Sequence, residues 1–328
     1  MPATAEVARL DDATVAALLP RRDPRGHKGS NGRLVCLCGS LDYVGAALLC
    51  ALAGVRAGAG LVVLAVPSSL QPLVAGRVAE AVTMGLPEIS AGEGGPSGGV
   101  AGEGRPARGA PQIDVEAALG TILEGRVEAL VCGPGLREGR DTAALLTLLL
   151  GRAAATPVVL DGGALNLLSR SGEWWRGLRA PAVLTPHPGE FARLSGSAVG
   201  DDDVERAQRC REAARRFGAV VVLKGANTVI GAPDGRLAVA PFANAALATA
   251  GTGDVLAGTI GALLAQGVAA FDAARAGVYL HAAAAAQLSE RLGDAGLAAS
   301  DLPFEIALAR ARLARGQAGV GRVGFAHR

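Results

Sequence analysis

Short apolar runs alternate with amphipathic stretches along almost the whole chain. The apolar runs lack polar alternation, which is typical of parallel strands that are covered on both faces. The predicted strands cover 34–38, 61–66, 129–133, 157–161, 182–185 and 219–225, and helical patterns cover 45–58, 68–79, 140–152 and 201–217. Residues 227–240 contain two further strands around a Pro-Asp-Gly turn, the pattern of a β-hairpin. We therefore predict an α/β fold with an open, doubly wound, mostly parallel sheet, helices on both faces and a β-hairpin near one edge.

One Gly/Pro-rich stretch, residues 85–112, interrupts this alternation. Its low hydrophobicity and many turn-forming residues indicate a flexible surface loop. Because strand and helix patterns continue on both sides, we do not place a domain boundary there. The predicted organisation is an N-terminal arm at 1–25, a single domain at 26–315 and a C-terminal tail at 316–328.

Composition and charge narrow the class of protein. The formal net charge is only +2 and there is no long basic run, which argues against nucleic acid as the partner. The most apolar segments, 45–66 and 242–270, are interrupted by Arg56 and Asp254, so neither has the uninterrupted length of about 20 residues that spans a membrane. The N-terminus is too polar for a signal peptide, and five cysteines, an odd number, favour reduced thiols. We expect a cytoplasmic protein.

Glycines and polar residues follow the predicted strands at their carboxyl ends, where open α/β sheets bind ligands. They include Gly39, Ser40, Gly133, Gly135, Asp161, residues 185–190, Lys224 and Gly225. Several have a purely structural alternative. Asp161 could cap the next helix or face a metal or a water, and Glu190 could be an ordinary first-turn acid. Lys224 could be solvated or could approach a nucleotide, and His187, held between two prolines, could be inert or could contact a ligand.

The segment GTGD (251–254) precedes an apolar pattern with helical spacing, which predicts a buried helix that starts near Thr252. Glycines at 251 and 253 allow a ligand to approach the backbone, and the unpaired amides of the first helical turn favour an anion such as phosphate. Asp254 has two interpretations. It could cap the helix, or it could remove a proton from a hydroxyl beside the bound phosphate. The P-loop motif is missing from the sequence, and no G-x-G-x-x-G pattern lies between a predicted strand and a predicted helix, where a dinucleotide-binding site would need it.

Six segments resemble one enzyme family and occur in its order. They are 27–67, 131–136, 158–168, 184–194, 221–230 and 244–258, and the most specific motifs within them are TPHPGE (185–190) and AGTGDVLAG (250–258). The family is that of the ADP- or ATP-dependent NAD(P)H-hydrate dehydratases, the carbohydrate-kinase-like half of the bifunctional NAD(P)H repair proteins. The resemblance covers about residues 25 to 315. The chain departs from the family pattern at CGS (38–40), DGGAL (161–165) and HAAAAAQL (281–288).

The resemblance implies a ribokinase-like fold and a lyase that dehydrates the S form of hydrated NADH or NADPH at the expense of a nucleotide. The implied dinucleotide contacts are Ala46, Gly135, His187 and Asp254. The implied nucleotide contacts are Lys224, Gly225, Ala226, Asn227, Thr228, Gly251, Thr252 and Gly253. Asp254 would be the catalytic base, and a Mg²⁺ ion would bridge the phosphates, with protein ligands that the sequence leaves unspecified. We also expect a homotetramer, and a separate NAD(P)H-hydrate epimerase as the functional partner.

Two other functions stay open on the sequence alone. A ribokinase-like kinase of a vitamin-precursor alcohol would need the same aspartate and the same anion site, although TPHPGE argues against it. A nucleotide-binding regulator without turnover would have no use for a carboxylate beside the phosphate. As phosphoryl donor we predict ADP rather than ATP, because the composition is typical of a GC-rich bacterium and bacterial members of the family are associated with ADP.

Overall fold

A single large sheet forms the centre of the computed structural model, which describes residues 7–89, 112–153 and 155–318. The strands are β1 (Val7–Arg9), β2 (Arg33–Leu37), β3 (Leu61–Pro67), β4 (Val82–Leu86), β5 (Glu88–Ile89), β6 (Gln112–Ile113), β7 (Ala129–Cys132), β8 (Val158–Leu160), β9 (Ala182–Leu184), β10 (Val220–Leu223), β11 (Val229–Gly231) and β12 (Leu237–Val239). The large sheet has ten strands in the order β1-β12-β11-β10-β9-β8-β7-β2-β3-β4. Strands β5 and β6 pair separately.

Helices cover both faces of the sheet. They are α1 (Asp12–Leu18), α2 (Val44–Arg56), α3 (Gln71–Ala75), α4 (Val115–Leu123), α5 (Arg140–Arg152), α6 (Gly163–Ser169), α7 (Pro188–Ser195), α8 (Asp203–Phe217), α9 (Thr252–Ala265), α10 (Ala270–Leu292) and α11 (Leu302–Ala318). Alternate residues of β2 enter different cores, because successive side chains of a strand point to opposite faces. Leu34 and Cys36 pack with α2, α9, α10 and α11, whereas Val35 and Leu37 pack with α4 to α8.

The predicted fold class is confirmed. Strands β2, β3, β4, β7, β8, β9 and β10 pair in parallel, and the predicted hairpin forms β11 and β12, which run antiparallel to each other beside β10. Strand β4 was not predicted, because it is an edge strand with a largely half-buried sequence, VTMGL, and no apolar run. Strand β1, which pairs in parallel with β12 and forms the opposite edge, was not predicted either.

The predicted division of the chain stays a prediction. Residues 1–6, 90–111 and 319–328 lie outside the described residues, and with them most of the predicted loop at 85–112 and of the predicted tail. Within the predicted arm, β1 joins the sheet and α1 packs against α10 and α11. Among the described helices, none combines the length and the apolar character that a membrane crossing would require.

Small residues let α9 pack closely against its neighbours and so place its first turn at the carboxyl edge of the sheet. A Cβ atom on Gly258 would overlap the carbonyl oxygen of Cys50 in α2, and one on Gly261 would overlap the side chain of Val131 in β7. Such contacts are possible only for glycine. The start of α9 is therefore held against the strand ends that carry the candidate polar residues.

Candidate active site

The first turn of α9 has no side-chain cap. The helix begins at Thr252, as the sequence predicted, and its N-cap residue is Gly251, with a φ of 90° that favours glycine. A Cβ atom on Gly251 would lie 2.7 Å from Cδ1 of Leu49 in α2. In the part of the chain that the structure describes, the amides of Gly253 and Asp254 have no hydrogen-bond acceptor. These free donors, with the positive end of the helix dipole, can donate hydrogen bonds to the oxygens of an anion.

The chain that leads into this turn is tied down by side chains. The Thr252 hydroxyl lies 2.9 Å from the carbonyl oxygens of both Leu247 and Thr249, to which it can donate. Asn244 accepts from the Ala246 amide and bonds to Ser289 of α10. The hydroxyl of Thr252 is therefore committed to the fold, and the group that this residue can offer to a ligand is its backbone.

Asp254 does not cap the helix, so the capping interpretation is wrong. Its carboxyl group is largely buried, and burial raises its pKa from the ordinary 3.8 to about 7. The negative charge of Asp161 adds to this increase, the charge of Lys224 opposes it, and Glu190 raises the pKa further. A carboxylate with a pKa near 7 is well suited to accept a proton at physiological pH.

Lys224, at the end of β10, joins the carboxylates of the site. Its Nζ atom lies 2.9 Å from Oδ1 of Asp161 and 3.8 Å from Oε2 of Glu190. Nζ is also 3.3 Å from the position of a Cβ atom on Gly253, so the ammonium group lies against the start of α9. Burial opposes its charge, but Asp161, Glu190 and Asp254 raise the pKa of Lys224 overall. The interpretation of Lys224 as a solvated surface lysine is wrong.

Asp161 is a partner of Lys224 and not a helix cap. Helix α6 starts after Gly162, and no side chain caps it. Instead, Oδ1 of Asp161 accepts a hydrogen bond from the hydroxyl of Thr185 at 2.7 Å as well as from Lys224. Asp161 and Thr185 are both buried. From the end of β8, the aspartate thus holds the ammonium group that follows β10, across the end of the intervening strand β9.

His187 and Glu190 close the start of α7 with a reciprocal pair of hydrogen bonds. Nδ1 of His187 accepts from the amides of Gly189 and Glu190, at 3.1 and 3.4 Å. Oε2 of Glu190 accepts from the His187 amide at 2.9 Å. Glu190 therefore is a first-turn acid, and at the same time it faces Lys224. The His187 side chain is 52% exposed, and its Nε2 atom lies 3.6 Å from Oε2 of Glu190.

Ala46 and Gly135, both implied dinucleotide contacts, lie next to each other. Gly135 has a φ of 63°, and a Cβ atom there would lie 2.7 Å from Cβ of Ala46 and 2.8 Å from the carbonyl oxygen of Tyr43. Ala46 lies in the first turn of α2, one turn before Leu49, which contacts Gly251. The structure thus connects this pair to the start of α9 along one face of α2.

The implied nucleotide segment follows β10 directly. Gly225 and Ala226 are exposed, whereas the side chains of Asn227 and Thr228 bind within the protein. Asn227 donates to Asp203 at 2.9 Å, and Thr228 donates to the Gly225 carbonyl at 2.8 Å. This segment therefore offers mostly backbone groups to a ligand.

Two buried residues at the site were not identified as functional from the sequence. Arg206 of α8 donates from Nη2 to the carbonyl oxygens of Leu223 and Lys224, at 3.3 and 3.1 Å. His281 of α10 contacts the carbonyl of Thr252. For Arg206 a signal existed, because it falls on the buried stripe of α8 with Cys210 and Phe217.

Among the described residues, no cluster of three or more His, Cys, Asp or Glu side chains could hold a metal by itself. Asp161 and Glu190 supply the oxygen donors that Mg²⁺ prefers, but they already pair with Lys224. The site therefore fits an ion that is held mainly by phosphate oxygens and water, and does not fit a protein-enclosed metal.

Comparison with known proteins agrees with this geometry. A model of the NAD(P)H-hydrate dehydratase family matches residues 34–307. The chain is 36% identical over 310 residues to the ADP-dependent (S)-NAD(P)H-hydrate dehydratase of Xanthomonas campestris pv. campestris, across 94% of this chain and 99% of that protein. It is 40% identical over 295 residues to the bifunctional NAD(P)H-hydrate repair enzyme Nnr of Moorella thermoacetica. That match covers 89% of this chain, which spans about half (52%) of the bifunctional relative.

The fold also matches solved structures. The crystal structure of the ADP/ATP-dependent NAD(P)H-hydrate dehydratase from Bacillus subtilis, obtained with ATP and Mg²⁺, superposes with a TM-score of 0.77 at 31% identity. The superposition covers 94% of this chain and 99% of that chain, and the ribokinase-like fold is thereby confirmed. Because the family motifs and the backbone agree over nearly the whole described chain, the protein belongs to the NAD(P)H-hydrate dehydratase family.

Proposed function

We propose that the protein dehydrates the S form of hydrated NADH or NADPH, with a nucleotide as phosphoryl donor. The observation that carries the proposal is the uncapped start of α9, where free amides and the raised pKa of Asp254 occur together. A phosphoryl group needs the amides, and a hydroxyl nucleophile needs the base. The relative from Xanthomonas campestris, which this chain matches along its whole length, has this activity by name.

Asp254 removes the proton from the ring hydroxyl of the hydrate, and the hydroxyl oxygen attacks the terminal phosphorus of the nucleotide. The bond from that phosphorus to its bridging oxygen breaks, so AMP is the leaving group when ADP is the donor. The ring nitrogen then uses its lone pair to expel the new phosphate ester as inorganic phosphate. Loss of a proton from the neighbouring ring carbon restores the double bond of NADH or NADPH. The amides of Gly253 and Asp254 stabilise the charge on the transferred group.

Lys224 supplies fixed positive charge beside these amides. Its ammonium group is held by Asp161 and Glu190, so little reorganisation is needed when an anion binds. A Mg²⁺ ion carried by the nucleotide would neutralise phosphate charge, and the carboxylates of Asp161 and Glu190 are the groups that would face it. The nucleotide would bind to Lys224, Gly225, Ala226, Asn227 and Thr228 and to residues 251–253.

Ala46, Gly135 and His187 would bind the hydrated dinucleotide. Their support is the resemblance together with two contacts. Ala46 packs on Gly135, and Nε2 of the half-exposed His187 side chain lies 3.6 Å from Glu190, which in turn lies 3.8 Å from Lys224. We further propose ADP as the preferred donor, a homotetramer, a cytoplasmic location and an NAD(P)H-hydrate epimerase as the functional partner.

The activity can be tested by recording absorbance at 340 nm after hydrated NADH is mixed with protein, Mg²⁺ and ADP or ATP. We expect an increase that depends on nucleotide, with ADP faster than ATP. A strong preference for ATP would contradict the choice of donor. Phosphorylation of another alcohol without any increase at 340 nm would support a kinase, and tight nucleotide binding without turnover would support a regulator. A monomer in light scattering would contradict the tetramer.

A further inference from the structure

His281 of α10 is a buried polar residue that approaches the start of α9. Its side chain is 6% exposed, and its Nε2 atom lies 2.9 Å from the carbonyl oxygen of Thr252. Burial lowers the pKa of His281 to about 4, the bond to Thr252 opposes this shift, and the charge of Lys224 adds to it. The imidazole is therefore neutral at physiological pH, and Nε2 must carry the hydrogen because a carbonyl can only accept.

The close approach of α10 to α9 makes this contact possible. One turn before His281, a Cβ atom on Gly277 would lie 2.6 Å from Cγ1 of Ile260. The missing side chain at 277 thus lets the two helix backbones come together. The next turn of α10 then places His281 at the level of Thr252 in α9.

The Thr252 carbonyl and the Gly253 amide belong to one peptide group. In a planar trans peptide, C=O and N–H point in opposite directions. In a helix the carbonyl points along the axis and the amide points out of the N-terminus. A hydrogen bond that fixes the carbonyl of Thr252 therefore also fixes the direction of the Gly253 amide. Gly253 has no side chain of its own that could restrict this peptide.

We propose that His281 is a positioning residue, whose neutral imidazole holds the Thr252–Gly253 peptide so that the Gly253 amide faces the transferred phosphoryl group. The inference rests on the proposed function, since it assigns that phosphoryl group to the start of α9. It predicts a specific defect. Loss of the His281 bond should weaken contacts with the terminal phosphate of ADP and leave contacts with the rest of the nucleotide unchanged.

The test compares ADP with AMP, which lacks the terminal phosphate, by calorimetric titration of wild type and His281→Leu. We expect the Kd for ADP to increase about tenfold in the variant, as for the loss of one hydrogen bond to a charged group, and the Kd for AMP to change less than about twofold. We also expect kcat to fall by roughly 10²-fold at an unchanged KM for hydrated NADH, as when one oxyanion donor is removed. Equal changes for ADP and AMP, or none for ADP, would overturn the inference.

Thr259→Val is the matched control. Thr259 is fully buried in α9 and donates to the Val255 carbonyl at 2.8 Å, so its loss also removes a buried hydrogen bond from that helix. We expect this variant to lose stability, with no difference between its changes in the Kd for ADP and in the Kd for AMP. If the Kd for ADP alone increases, as in His281→Leu, the effect is general to the helix and the inference is wrong.

Two conservative variants keep the test valid if His281→Leu does not fold. The amide nitrogen of glutamine can reach the position of Nε2, whereas the side chain of asparagine is too short to place its amide nitrogen there. His281→Gln should stay within about threefold of wild type for ADP, and His281→Asn should lose about tenfold. Equal values would overturn the inference. If the wild type turns over hydrated NADH and the His281 variants bind ADP as it does, only this inference is contradicted. If the wild type itself is inactive toward hydrated NADH, the proposed function is contradicted.

Discussion

Helices α7 and α9 both start at the candidate site, but their first turns are completed in opposite ways. At α7, His187 accepts from two amides and Glu190 accepts from the His187 amide, so side chains satisfy the turn. At α9, Gly251 takes the cap position and no side chain accepts from the first amides. A helix start binds an anion only if its amides are free. The comparison shows that α7 presents side chains to the site, whereas α9 presents its backbone.

Lys224 connects the two helix starts. Its ammonium group lies 3.8 Å from Glu190 of α7 and against Gly253 of α9. Glu190 of α7 thus helps to hold the ammonium group that lies against the uncapped start of α9. The acid of α9, Asp254, does not cap its helix and keeps a half-buried carboxyl group with a raised pKa. Each of the following changes tests one side of this comparison.

The largest effect is expected for Asp254→Asn. Removal of the proton acceptor should lower turnover by roughly 10²–10⁴-fold. The backbone amides at the start of α9 are untouched, so ADP affinity should stay near that of wild type. The variant also loses a partly buried negative charge, and for this reason we expect no decrease in the melting temperature. Steady-state kinetics and thermal unfolding check this. A stable variant that keeps more than about a tenth of wild-type turnover would exclude the base role.

The pH dependence should follow Asp254. The ionised carboxylate is the active form, so kcat/KM should fall about tenfold per pH unit below the pKa of about 7 and level off above it. Stability should move the other way. Because the folded pKa lies above the unfolded 3.8, the stabilisation from the protonated form is complete below pH 3.8 and is lost as pH rises through 7.

The same pH profile distinguishes the two helix starts. His187→Asn keeps a capping side chain at α7 and should show the same inflection near pH 7 as wild type. If the inflection disappears with His187→Asn, the titrating group belongs to α7 and the assignment to Asp254 is wrong.

Gly251→Ala should damage both stability and nucleotide binding. The φ of 90° disfavours any L side chain, by roughly 1–2 kcal/mol, and the new Cβ atom would press on Leu49. We expect about tenfold weaker ADP binding, because the amides at the helix start shift. Gly196→Ala, at the C-cap of α7, is the control, since its φ is 79° and no atom lies within 4 Å of the new Cβ. It should lose similar stability and no ADP affinity.

The smallest effect is expected at His187. His187→Ala removes the cap and should lower the free energy of unfolding by about 1 kcal/mol, whereas His187→Asn should retain it. If the exposed imidazole edge contacts the dinucleotide, both variants should raise KM for hydrated NADH about threefold. An asparagine variant with wild-type KM would show that the imidazole acts only as a cap.

The sequence by itself determined most of the central strands, the hairpin and the glycine-rich start of α9. Uniform apolar runs such as 61–66 and 129–133 became buried parallel strands, because a strand covered on both faces requires apolar residues at every position. GTGD was correctly predicted to start a buried helix, since glycines and helical spacing are local signals. Edge strand β4 was not predictable in this way, because one side of it is exposed and its pattern is weak.

Only the tertiary structure decided what the polar residues do. Asp161 and Asp254 were equally good caps by sequence, and neither caps. Asp161 instead meets Thr185, 24 positions away, and Lys224, 63 positions away. His281 meets Thr252 across 29 positions and between two helices. Local patterns follow the chain, whereas these partners are set by strand order and helix packing, which bring together residues that no short stretch of sequence contains.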